Sequence, residues 1–120
     1  MQEQQLQLSW ALMLAGPLIW AAHFAIIYGF TGLVCARPGW ARFTILGWGL
    51  IPFGIALVTL VAAAAMVAVL LVLSTPVHAS QVPETSAAPF QRRIAIGGVI
   101  ISSIAIAWNA LPALMITACR

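Results

Sequence analysis

Three stretches of the chain, residues 8–33, 44–73 and 94–119, carry no Asp, Glu, Lys or Arg over 26, 30 and 26 positions respectively. About 20 apolar residues are enough for a helix to cross the ~30 Å hydrocarbon core of a bilayer. Runs of this length predict an all-α membrane protein with three transmembrane helices in an up-down-up arrangement. The rest of the composition agrees. Of the 120 residues, 63% are hydrophobic and 6% charged, against ~25% charged in soluble domains, and the mean hydropathy is +1.08. A soluble enzyme is excluded. The pI near 9.7 comes from five scattered arginines that form no basic stripe, so the positive balance belongs to membrane flanks and points away from nucleic acid.

The connections are unequal. Residues 36–43 hold Pro38-Gly39 with Trp40 and Phe43, a short turn with interfacial aromatics, so the first two spans are expected to be antiparallel neighbours. Residues 74–93 hold Pro76, Pro83 and Pro89 among Ser, Thr, Gln and Ala, and read as a mobile loop. At ~1.5 Å per residue the middle run would reach ~45 Å, so it is expected to tilt or to project beyond the headgroups. The first run has no basic residue before it and is too long for a signal peptide, so it is expected to be retained. Gly32-Leu33-Val34-Cys35 is a poor lipoprotein cleavage box, with no small residue just before the cysteine.

Three spans put the turn and the chain's last residues on one side of the membrane, with the first residues and the long loop on the other. Arginines number three, Arg37, Arg42 and Arg120, against two, Arg92 and Arg93, which is close to a tie under the positive-inside rule. The cysteines bear on the same question. Cys35 ends the first span and Cys119 the third, so both lie on the side of the turn. Two alternatives stand: two unrelated apolar thiols, or a disulfide, which requires that side to be oxidising. The expectation carried forward is the bond. It places the N-terminal side in the cytoplasm and the C-terminal side in the periplasm of a bacterial inner membrane.

No acid, Lys or Arg lies inside a span, although such residues mark proton relays and coupled transport. Within the first span Trp20, Phe24 and Tyr28 recur every four residues and His23 follows Trp20 by three, which reads as one face of rings and an imidazole. A haem or metal role for His23 lacks a second ligand, because the only other histidine, His78, is in the long loop. His23 is therefore expected to be a neutral hydrogen-bonding residue at a helix interface, with lipid or quinone contact through Trp20, His23 and Tyr28 as the alternative. No catalytic, cofactor-binding or metal-binding residue is expected.

In the third span Gly98, Ser102, Ala105, Asn109 and Pro112 form a stripe of small and polar residues, with Ser102 and Asn109 as its interhelical hydrogen-bonding members. Gly29, Gly32, Gly47 and Gly49 offer places for another helix to approach. Each span holds one proline, Pro17, Pro52 or Pro112, and a kink is expected at each, because the carbonyls of Met13, Trp48 and Trp108 would lose their amide partners.

The pattern Gly16-Pro17-Leu18-x-Trp20-x-x-His23-Phe24-x-x-x-Tyr28, with Cys35 beyond it and the closing Leu111-Pro112-Ala113-Leu114 and Cys119, resembles a group of small three-helix membrane proteins. Their genes accompany those of bacterial haem-copper cytochrome c oxidases. The resemblance covers the first span and the last ten residues. It implies a non-catalytic accessory subunit of a respiratory terminal oxidase, packed on larger membrane subunits and phospholipid, with haem and copper carried by the catalytic subunits. Alternatives are a transient oxidase assembly factor and an independent homo-oligomeric membrane carrier.

Overall fold

The structure is a computed structural model that describes residues 2–75, 88–115 and 119. Three helices account for most of them: α1 (Gln2–Cys35), α2 (Leu50–Ser74) and α3 (Ala88–Met115), with two short strands, β1 (Thr44–Ile45) and β2 (Trp48–Gly49), between α1 and α2. Each helix contains a segment long and apolar enough to cross a membrane: Trp10–Cys35, Leu50–Ser74 and Pro89–Met115. The chain is thus a multi-pass, all-α membrane protein. It forms a rod 58 Å long and about 20 Å across, with α1 and α3 sharing the most extensive contact.

The boundaries differ from expectation in four places. Residues 44–49, expected to be helical, form an antiparallel hairpin pairing Thr44 with Gly49 and Ile45 with Trp48. Its two turn residues, Leu46 (φ 54°) and Gly47 (φ 81°), both have the positive φ that two-residue hairpins favour. Glycine adopts this freely, whereas Leu46 does so at a cost of roughly 1–2 kcal/mol. Helix α2 therefore starts only at Leu50, after the extended N-cap Gly49. Its length falls to ~37 Å at ~1.5 Å per residue, which removes about half of the overhang expected of the middle span. Pro52 then occupies the third helical position, where the N–H would have had no intrahelical partner. Trp48 is outside the helix, so the kink expected there does not arise.

Helix α3 begins at Ala88 and not at Ile94, with Pro89 tolerated in its first turn, so residues 88–93 are helical and not part of the long loop. The expected mobility of that loop concerns residues 76–87, which lie outside the described residues. Helix α1 begins at Gln2, six residues earlier than the uncharged run, because Gln and Glu are good helix formers. Helix α3 is described as far as Met115, residues 116–118 lie outside the described residues, and Cys119, expected to close the third span, has a φ of 72° that is not helical. Pro17 and Pro112 each lie inside a continuous helix.

Between helices in lipid there is little hydrophobic drive, so close approach and shape have to hold the bundle together. The closest approach is at Gly16. A Cβ there would come within 2.9 Å of the Gly98 backbone, so α1 and α3 cross with no room for a methyl group. Gly98 in turn lies over Pro17 and the carbonyl oxygen of Met13, the group that Pro17 deprives of its amide. The proline and the glycine thus act together. Between α1 and α2 the ring of Phe30 occupies the space over Gly54. Gly29 and Gly32 have nothing within 4 Å, Gly47 lies in the turn and Gly49 caps α2, so close approach is made not at those glycines but at Gly16 and Gly54, and at Gly98 of the expected third-span stripe.

Two apolar clusters follow along the axis. Ile27, Val34, Ile51 and Ile55 pack with Phe30 and Cys35 near the turn. Ala62, Met66, Val99 and Ile106 pack with Ile19 and Leu70 in the other half.

Two glycine substitutions test the crossing. Gly16→Ala should destabilise the folded bundle by about 1–3 kcal/mol, as overpacking does. Gly97→Ala, one residue from the crossing but with open space at its Cβ, should be neutral or slightly stabilising. Reversible unfolding in mixed micelles measures both; equal effects would place the α1–α3 contact elsewhere.

Candidate functional site

Between the two apolar clusters lies the polar centre of the bundle. His23 on α1 is 2% exposed, and its Nε2 lies 3.0 Å from Oγ1 of Thr59 on α2. The direction of that bond follows from a count of protons. Thr59 has one hydroxyl proton, and it donates it to the carbonyl of Ile55, one helical turn back, at 2.7 Å. The Thr59 oxygen can then only accept, so His23 Nε2–H donates to it. In the neutral imidazole Nδ1 is left as the acceptor, and this buried atom has no hydrogen-bond partner among the described residues. A relay of two hydrogen bonds therefore joins α1 to a backbone carbonyl of α2 at mid-depth.

Ser102 on α3 is also buried, on a stripe with Ala95, Val99, Ile106 and Ala110. That stripe is more apolar than the expected one. Asn109 lies beside it, half-buried, and no hydrogen bond joins it to another helix among the described residues. The interhelical hydrogen bond is made by His23 and Thr59. Thr59 was not singled out from sequence, because a threonine in a long apolar run bonds its own helix as a rule and carries no further signal.

The ring residues lie elsewhere. Trp20, Phe24 and Tyr28 are 37%, 40% and 62% exposed, and they form a ladder with centroids 6.1 Å and 4.3 Å apart. The expected single face of rings and imidazole is two faces: the rings look outward and His23 looks inward. Trp20 and Tyr28 are open to a lipid or quinone, whereas His23 does not share that surface.

Cys35 and Cys119 form a disulfide, with Cα atoms 5.3 Å apart across a sequence separation of 84 residues. It joins the end of α1 to the chain beyond α3, at the end of the bundle that carries the Pro-Gly turn. In that turn the Arg37 guanidinium lies 4.8 Å from the centre of the Trp40 ring, a cation–π contact at the membrane edge. At the opposite end, Arg92 Nε donates to the carbonyl of Leu73 at the C-terminus of α2, where a cation is favoured. Among the described residues no group of three or more His, Cys, Asp or Glu side chains is placed to hold a metal ion.

No family model, no curated protein and no solved structure matches the chain.

The relay makes a definite claim about His23. In bilayer nitrogen NMR its proton should reside on Nε2, and Thr59→Val should move that resonance and weaken the bundle by about 1 kcal/mol. A wild-type spectrum with the proton on Nδ1 would contradict the assignment.

Proposed function

We propose that the protein is a non-catalytic accessory subunit of a bacterial respiratory terminal oxidase of the cytochrome c oxidase type, resident in the inner membrane. One observation carries this reading beyond the family resemblance: the motif that supports the resemblance divides into two halves with different uses. Gly16, His23 and Cys35 face inward and hold the three helices to one another. Trp20, Phe24 and Tyr28 are exposed on the outer face of α1 and stack along it as a ladder.

Aromatic rings of lipid-facing surfaces concentrate at the headgroup level. Phe24 lies 11 residues from Cys35, roughly 16 Å along the helix, which is close to the middle of a ~30 Å hydrocarbon core. Tyr28 brings a hydroxyl that lipid tails cannot hydrogen-bond and a neighbouring helix can. Such a ladder suits packing against a larger membrane subunit. The same surface would serve a transient assembly factor, whereas an independent carrier would place it against a second copy.

Orientation belongs to the proposal. The disulfide calls for an oxidising compartment, which sets the turn and Cys119 on the periplasmic side. Arg92 and Arg93 then flank α3 in the cytoplasm, and since Arg37, Arg42 and Arg120 on the other side outnumber them by one, the orientation rests on the disulfide and not on the arginine count.

Copurification tests the assignment. The tagged chain, solubilised in mild detergent, should bring down active oxidase stoichiometrically. Phe24→Ala with Tyr28→Leu should lower the yield on the order of tenfold without opening the disulfide. Enrichment in immature complexes alone would favour the assembly factor. A stable self-oligomer that transports solute in liposomes, with no oxidase bound, would overturn the proposal.

A further inference from the structure

On the side of the bundle formed by α2 and α3, a groove of about 190 Å3 opens to the membrane, lined by Ala63, Met66, Val67, Leu70, Ser103 and Ile106. Its one hydroxyl is turned away, because Ser103 donates to the carbonyl of Val99 at 2.8 Å. The lining is thus hydrocarbon. The lining runs from Ala63 to Leu70, roughly 10 Å along α2, enough to seat a segment of one acyl chain and too small for a helix about 10–12 Å across.

The two helices also say where the groove leads. On α2 the lining positions 63, 66, 67 and 70 continue to Leu73 and Ser74 at the helix end. On α3, Arg92 precedes Ser103 by 11 residues, three helical turns to within about 20°, so it stands on the same face. Its Nε bond to the Leu73 carbonyl holds the guanidinium over the α2–α3 seam. Arg93, also exposed, follows it. The N-terminus of α3 lies just before both, and its helix dipole adds positive potential at the same end. From Ser103 to Arg92 is roughly 16 Å along the helix, close to half of the ~30 Å hydrocarbon core. The distance from cation to groove matches one leaflet.

We infer that the α2–α3 groove, with Arg92 and Arg93 at its mouth, is a binding site for one anionic glycerophospholipid, its phosphate on the arginines and one acyl chain in the groove. Basic residues between helices at the membrane edge attract anionic headgroups, and an apolar slot at the matching depth adds retention that a surface charge alone does not. The inference goes beyond the accessory-subunit reading and does not depend on it, because every residue of the site belongs to this chain.

Native mass spectrometry of the full chain, released from nanodiscs of equal phosphatidylglycerol and phosphatidylcholine, is the test. One phosphatidylglycerol should be retained per protein in preference to phosphatidylcholine. Arg93→Gln should reduce that preference roughly fivefold, and Arg92→Gln with Arg93→Gln should abolish it. Val67→Trp, at a lining position 55% exposed, should fill the groove from outside and remove retention. Leu60→Trp, at an exposed position of the same helix outside the lining, should not. The intact disulfide reports folding in every variant. Equal retention of both lipids by the wild type, or retention unchanged in Val67→Trp, would overturn the site.

Discussion

Inside a bilayer the lipid is as apolar as the helices, and expelling water does not drive them together. The arrangement of α1, α2 and α3 therefore depends on a small number of specific fasteners, and above all on the tie between α1 and α3. That tie is made twice. Near one membrane surface Gly16 and Gly98 let the two backbones cross without side chains between them, and at the other surface the Cys35–Cys119 disulfide joins the ends covalently. Two fixed points on two rods leave little freedom to slide or rotate. In the chain-entropy picture, closing a loop of this size contributes on the order of 4–5 kcal/mol, less where the membrane already confines the chain.

The remaining contacts depend on that frame. Helix α2 lies against the pair through Phe30 over Gly54 and through the His23–Thr59 relay, one steric and one polar. The relay works at mid-depth because the clusters on either side exclude competing partners and hold Thr59 in reach. Fastening is concentrated on few residues, so most of the surface is left to meet other things. Of the apolar segments of α1, α2 and α3, 17%, 17% and 28% is buried within the chain. So small an internal core leaves most of the surface of the three helices facing outward.

What could be read from the sequence follows the same physics. The spans were legible because hydropathy over twenty or more residues is a strong signal, and Cys35 and Cys119 were legible because topology puts both at one surface. The hairpin at 44–49 was not. Thr44, Ile45, Leu46 and Trp48 carry no charge and continue the uncharged run of the helix they precede, and only Gly47, Gly49 and Pro52 mark the change, types that also occur within membrane helices. Helix α3 extends back to Ala88 because proline breaks a helix in its interior and not in its first turn, a distinction composition alone does not make. The polar partner of His23 was hidden for another reason: Thr59 lies 36 residues away on a different helix, and periodicity reports the face of one helix without naming what it meets. Asn109, the more polar side chain, drew the expectation that Thr59 fulfils. The ring ladder had the right spacing, but it winds from about 60° away from His23 at Trp20 to about 140° away at Tyr28, enough to turn the rings outward while the imidazole points inward.

The central claim is that α1 and α3 are bound covalently at one membrane face, and mass spectrometry of non-reduced peptides tests it most directly. Native membranes are treated with a permeant thiol-blocking reagent before solubilisation and digestion. The account predicts one peptide pair linked through Cys35 and Cys119, absent after reduction, with neither cysteine alkylated. Recovery of both cysteines in alkylated form would contradict it, removing the clamp and the argument for the orientation together.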